Sequence, residues 1–249
     1  METGKALKPE SVLVAEYIRG SFVPLSRLAH GWEMHAAVPL TPAEERAMVR
    51  EPVEAVPGSI AERLGKLRVL MVPFIACAES GDTVYLDKPQ GETHTAVWEE
   101  SEGRIHLVVS SRELNPHDTG FEFLASIGEL LRPRLTESEI DRYTRLLERE
   151  LEEGVSGEID DDARTAKEPL LPGRGRRPRR GEKFAEYRDI SFVSTAAEYM
   201  HGLWHDVQIR VGPEHLPLPQ LRRRMQLLAE LFPPNPGYSL FAKELEEQN

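Results

Sequence analysis

Residues 67–76 (LRVLMVPFIA) are almost continuously apolar, as a strand covered on both faces would be, and Pro73 marks an edge or a bulge near the end of the run. Residues 83–87, 93–98 and 104–110 are rich in Val, Thr, Ile and Tyr with partial alternation, and Glu100, Ser101, Glu102 and Gly103 form a hairpin loop between the last two. These segments predict a small, largely antiparallel sheet over about residues 67–110.

After residue 118 the period becomes helical. Phe121, Leu124, Ala125, Gly128 and Leu131 share one face, Thr119 with Glu122 offers a capping box, and Pro133 closes the helix. The next helix opens on a second box, Thr136 with Glu139, and carries Ile140, Tyr143, Leu146, Leu147 and Leu151 until Gly154 stops it. Asp160 caps a short helix through Lys167. Phe192, Val193, Ala196, Ala197, Met200, Leu203, Trp204 and Val207 mark an amphipathic helix, and a last one over residues 219–231 ends at Pro233 and Pro234. The expected class is α+β, with the sheet packed against four or five helices in residues 118–232.

Prolines at 9, 24, 39, 42, 52 and 57 punctuate the first 65 residues, which read as an irregular Pro-rich arm with short helices. One start is explicit there: Thr41, Pro42, Ala43 and Glu44 form a capping box with proline in the first turn, predicting a helix from Pro42 to about Arg50. The expected division is thus an arm over 1–65 and one α+β domain over 66–249.

Charge narrows the partners. Against 31 Lys plus Arg stand 42 Asp plus Glu, a net of −11, which opposes general binding to nucleic acid or to an anionic membrane surface. No apolar run approaches a membrane span, and the one cysteine fits a reducing cytoplasm. Residues 173–183 (GRGRRPRRGEK) carry six bases and one acid, no bulky apolar side chain and no aromatic to stack on bases. They read as a mobile basic loop, attracted to residues 136–168, where 12 acids face 5 bases.

Candidate chemistry is sparse. Glu198, His201 and His205, spaced i, i+3 and i+7, share a helix face turned away from the apolar stripe, toward solvent or into a cleft roofed by another segment. Two imidazoles and a carboxylate suit a divalent metal, with His117 as the candidate fourth ligand. Plain solvation of that face is the competing reading. His117 and Asp118 also belong to a strand-to-helix turn, Asn115 to Gly120, in which Asp118 favours the helix dipole. Cys77, among Phe74, Ile75, Ala76 and Ala78, is expected in the core rather than as a nucleophile. Glu158 and Asp160 to Asp162 lack the alternation and central glycine of a calcium loop. No serine-hydrolase elbow, Walker loop, dinucleotide fingerprint or His-Glu-x-x-His is present, so a possible divalent ion is the one cofactor suggested. The expectation is a cytoplasmic non-enzymatic module acting by contact with another protein. The alternative is a metal-dependent hydrolase built on Glu198, His201 and His205, with His117.

Overall fold

A computed structural model of the 249-residue chain describes residues 11–171, 180–207 and 209–241. In chain order the elements are β1 (Ser11–Leu13), α1 (Val14–Tyr17), β2 (Ser26–Arg27), β3 (Glu33–Ala36), α2 (Pro42–Glu45), α3 (Glu51–Ala55), α4 (Gly58–Leu64), β4 (Leu67–Val72), β5 (Phe74–Ala78), β6 (Gly81–Tyr85), β7 (Thr93–His94), β8 (Ala96–Ser101) and β9 (Arg104–Ser110). There follow α5 (Pro116–Leu131), α6 (Glu137–Glu152), α7 (Asp161–Lys167), α8 (Glu182–Trp204) and α9 (Leu218–Leu231). The fold is α+β. Contacts divide it into two compact units, Met1–Glu54 with Leu64–Phe123, and Ala55–Arg63 with Leu124–Asn249. No helix among the described residues is long and apolar enough to cross a membrane. Residues 173–179 of the expected basic loop lie outside the described residues.

In the first unit the strands form two sheets, ordered β2-β3-β4-β9-β8 and β1-β6-β5-β7. The expected small, largely antiparallel sheet is corrected in two respects, since there are two sheets and part of one is parallel. The hairpins β8–β9 and β5–β6 are antiparallel, but β3, β4 and β9 run parallel, with Leu67 opposite Ile105 and Val72 opposite Ser110. Proline explains the division: Pro73 has no amide to donate, so the apolar run breaks into β4 and β5, which enter different sheets. The carbonyls at the break each accept a backbone amide, Val72 O from Ser111 N at 2.7 Å and Pro73 O from Arg112 N at 3.2 Å, and a buried hydroxyl besides, Ser111 Oγ at 3.0 Å and Ser110 Oγ at 2.8 Å. Strand β4 is buried on both faces, as an interior parallel strand should be. The core between the sheets joins Leu70, Val72 and Val108 to Ile75 and Val84, with Val14, Ile18 and Phe22 from the N-terminal segment. That segment also supplies β1, β2 and β3.

The capping box at Thr41 is present, Glu44 N donating to Thr41 Oγ1 at 3.2 Å and Thr41 N to Glu44 Oε2 at 2.7 Å. The helix it opens widens to a π turn over Arg46–Arg50 before α3. Pro52 accounts for that widening, because it lacks an amide for the Met48 carbonyl and its ring crowds that group. Helix α5 starts earlier than the Thr119 box predicts. Asn115 Oδ1 accepts the Asp118 amide at 3.0 Å, and Pro116 occupies the first turn, where its missing N–H costs nothing. Glu122 is thereby released to accept from Thr95 Oγ1 at 3.0 Å.

In the second unit the Thr136 box opens α6 as expected. Its stripe of Tyr143, Leu146, Leu147 and Leu151 is buried. Arg63 grips Glu139 with both terminal nitrogens, at 2.8 and 2.6 Å, and holds its carboxyl down at about 2. Helix α8 runs ten residues further toward the N-terminus than the apolar stripe from Phe192 implies, and it is buried on nearly every face. Arg180, the described end of the basic segment, forks onto Glu148 at 2.6 and 2.8 Å, so the expected attraction to the acidic stretch is realised at that residue.

Candidate functional site

The densest chemistry in the second unit is an ion cluster in its interior. Glu150 lies three residues after Leu147 on the inward stripe of α6, and Arg224 lies three after Leu221 on the inward stripe of α9, so packing these stripes buries both charges. Arg224 donates Nε and Nη2 to Glu150, the shortest contact being 2.6 Å. Its Nη1 and Nη2 also reach the two oxygens of Glu158, each at 2.7 Å, and Nη1 reaches Ser191 Oγ at 2.9 Å. All five guanidinium N–H groups thus have acceptors. Lys167, at the end of α7, gives its ammonium to Glu158 Oε1 and to the Gly157 carbonyl, both at 3.0 Å. Tyr187 donates to Glu158, and Tyr143 meets the Ser191 carbonyl at 2.9 Å and Thr195 Oγ1 at 2.8 Å.

Two cations and two carboxylates balance here, and the side chains of Arg224, Glu150, Glu158 and Lys167 are wholly buried. Burial alone would raise the Glu158 carboxyl. The charge and hydrogen bonds of Arg224, with Lys167 and the Tyr187 hydroxyl, outweigh that and hold it down at about 2. Burial lowers Lys167, with Glu158 opposing, and pushes Tyr143 up to about 12. The backbone beside the cluster is equally fixed, because Glu158 N donates to Glu214 O at 3.0 Å and Leu216 N to Glu158 O at 2.9 Å. A cavity lined by Glu158, Ile159, Glu198, Arg210, His215, Leu216 and Leu221 adjoins the cluster, with a volume of about 20 Å³. That is room for about one water molecule. The cluster pins α6, α7, α8 and α9 together with its charges matched.

The candidate metal residues fall as follows. Glu198 and His201 lie on α8 and are buried, at 6% and 1% exposure, so the face expected to point away from the core is turned inward. His205 is exposed and caps the C-terminal end of that helix just after Trp204, its amide bonded to the His201 carbonyl at 2.9 Å. The two imidazole centroids are 5.6 Å apart, with Trp204 4.1 Å from His205. His117 belongs to the other unit, in the first turn of α5, with Nδ1 3.3 Å from Asp118 Oδ1. Among the described residues, the one set of three Cys, His or acidic side chains with ligating atoms all within 4.8 Å of each other is Cys77, Asp82 and His94. Cys77 is exposed, which corrects its expected place in the core.

The surface of the first unit has a different character. β8 ends its sheet, and Trp98 on that strand is 41% exposed. Beside it runs a groove of about 220 Å³ lined by residues 13–15, 80–82 and 97–99. No protein-family model matches the chain, and no curated protein matches its sequence.

Proposed function

We propose that this protein is a non-enzymatic interaction module of the cytoplasm, which receives a segment of another protein at the outer edge of β8. The observation that carries the reading is Trp98. A strand that ends a sheet offers a row of backbone donors and acceptors, and an extended partner segment can pair with them. Tryptophan is the side chain most enriched among energetic hot spots of interfaces, because one residue buries a large area at small entropic cost. Here it stands on the strand edge beside a groove able to take a partner side chain. Glu99 and Glu100 follow it, and the chain is acidic as a whole, so the favoured partner segment is extended and basic.

The test is a photo-crosslinking amino acid at position 98 in cells that make the protein, with the same group at Arg145, another exposed position, as control. A discrete protein adduct specific to position 98 is expected. Absence of an adduct, or the same adducts from both positions, refutes the edge of β8 as the contact.

A further inference from the structure

We propose that Cys77, Asp82 and His94 form a binding site for a zinc-class divalent ion. The three lie on adjacent strands of one sheet, β5, β6 and β7, with β5 in the middle. Cys77 is directly opposite Asp82, while His94 is opposite Ile75, two residues along from Cys77. With a side-chain period of two, all three project from the same face. Ile75 and Val84 on that face are buried in the core, whereas Cys77 and Asp82, one pair further toward the turn, run past the edge of it.

The side-chain directions are informative. Asp82 and His94 stand on strands two apart, with backbones about 9.5 Å from each other at ordinary strand spacing. Yet His94 Nε2 lies 3.5 Å from Asp82 Oδ1, so both side chains lean inward over the middle strand, above Cys77. Two such ligands, each about 2.0–2.2 Å from a tetrahedral ion, stand about 3.3–3.6 Å apart, which is the separation found. The thiol sulfur is within 4.8 Å of both, and about 1 Å of side-chain movement closes the set around a Zn–S bond of about 2.3 Å.

The donor set selects the ion. One thiolate, one imidazole and one carboxylate favour a borderline cation such as zinc over magnesium or calcium, which take oxygen. On binding, the ion displaces the thiol proton to solvent and forms bonds to Sγ, Nε2 and a carboxylate oxygen. With three protein ligands, a tetrahedral ion keeps a fourth position for water or an external donor. Asp82 also lines the groove of about 220 Å³, so that external donor can be a small ligand or a partner side chain.

A simple His94–Asp82 ion pair would need no thiol, and the experiment uses that difference. Untagged full-length protein, stripped with chelator and kept reduced, is titrated with cobalt(II) and then with zinc. One cobalt per chain is expected, with a near-ultraviolet thiolate-to-cobalt charge-transfer band that zinc abolishes. Cys77→Ser should lose the band, and Cys77→Ser and His94→Ala should each weaken zinc binding about ten-fold or more in competition with a chromophoric chelator, with unchanged circular dichroism. No binding, binding without the band, or undiminished affinity in either variant overturns the assignment.

Discussion

Arg224→Met is the most direct probe of the interior, because it removes one charge from a balanced set of four. Without the guanidinium, Glu150 and Glu158 share Lys167 alone, and the buried cluster goes from neutral to −1. Breaking a buried pair from one side costs about 3–5 kcal/mol. An independent route gives a similar size: the Glu158 carboxyl sits at about 2 rather than 4.5, a depression worth about 3 kcal/mol at about 1.4 kcal/mol per unit. For a chain of this length the loss corresponds to a fall in Tm of about 6–20 °C. The sign with pH follows from the direction of the shift. A depressed carboxyl contributes its full stability above its unfolded value near 4.5 and loses it as pH falls toward 2, so the wild type weakens over that window. In the variant the opposing cation is gone and burial raises the carboxyl, so acid relieves it. The gap between the two should therefore be widest near neutrality and shrink as pH falls, first as the variant's raised carboxyl protonates above pH 4.5 and then as the wild type weakens below it. Adding Glu158→Gln to Arg224→Met restores neutrality and should recover part of the loss at pH 7. Denaturant midpoints and melts by circular dichroism at pH 7 and pH 4 measure all of this. A variant within about 1 kcal/mol of wild type at pH 7, or a double variant no better than the single, would show that the cluster does not hold the helices.

Two further perturbations test packing around the cluster. A Cβ on Gly157 would stand 2.0 Å from the His215 carbonyl oxygen, so Gly157→Ala must push apart the paired backbones and draw Glu158 away from Arg224; about 1–3 kcal/mol or more of lost stability is expected, and an unchanged denaturant midpoint contradicts the close approach. Leu151→Ala empties a fully buried position on α6 and should cost about 2–5 kcal/mol in the same assay, whereas a solvated stripe would leave the midpoint in place.

Local signals in the sequence are read correctly where a few neighbouring residues settle the outcome. The boxes at Thr41 and Thr136 form because cap, acid and amide all lie within one turn, and the stripe from Tyr143 to Leu151 is buried because its spacing allows no other face. At the start of α5 the same logic picks the wrong cap, Thr119, because Asn115 four residues earlier, followed by proline, takes the Asp118 amide. Pro73 is visible as a break, but the assignment of β4 and β5 to different sheets depends on partners such as Ile105 and His94, remote in the chain. The inward turn of Glu198 and His201 does not follow from the apolar residues that begin at Phe192. Phe184 and Tyr187 extend α8 and are buried too, leaving that helix little outward face. A partial signal for the ion cluster did exist: an acid at 150 and a base at 224 each interrupt an apolar stripe. Only packing of α6 against α9 shows that they answer one another.

On the proposed reading, the interior and the surface have separate roles. Where Arg224, Glu158, Glu150 and Lys167 meet, each charge is matched and the neighbouring cavity measures about 20 Å³, so the proposed contact with a partner segment needs another place. The first unit offers such a place, for Trp98 and Asp82 both line the same groove. Asp82 is thus common to the proposed ion site, with Cys77 and His94, and to the groove beside Trp98. Strands fix the backbone of all four residues, so neither site has to be ordered when its ligand arrives, and the entropy that a loop would lose on binding is already spent in folding the sheet.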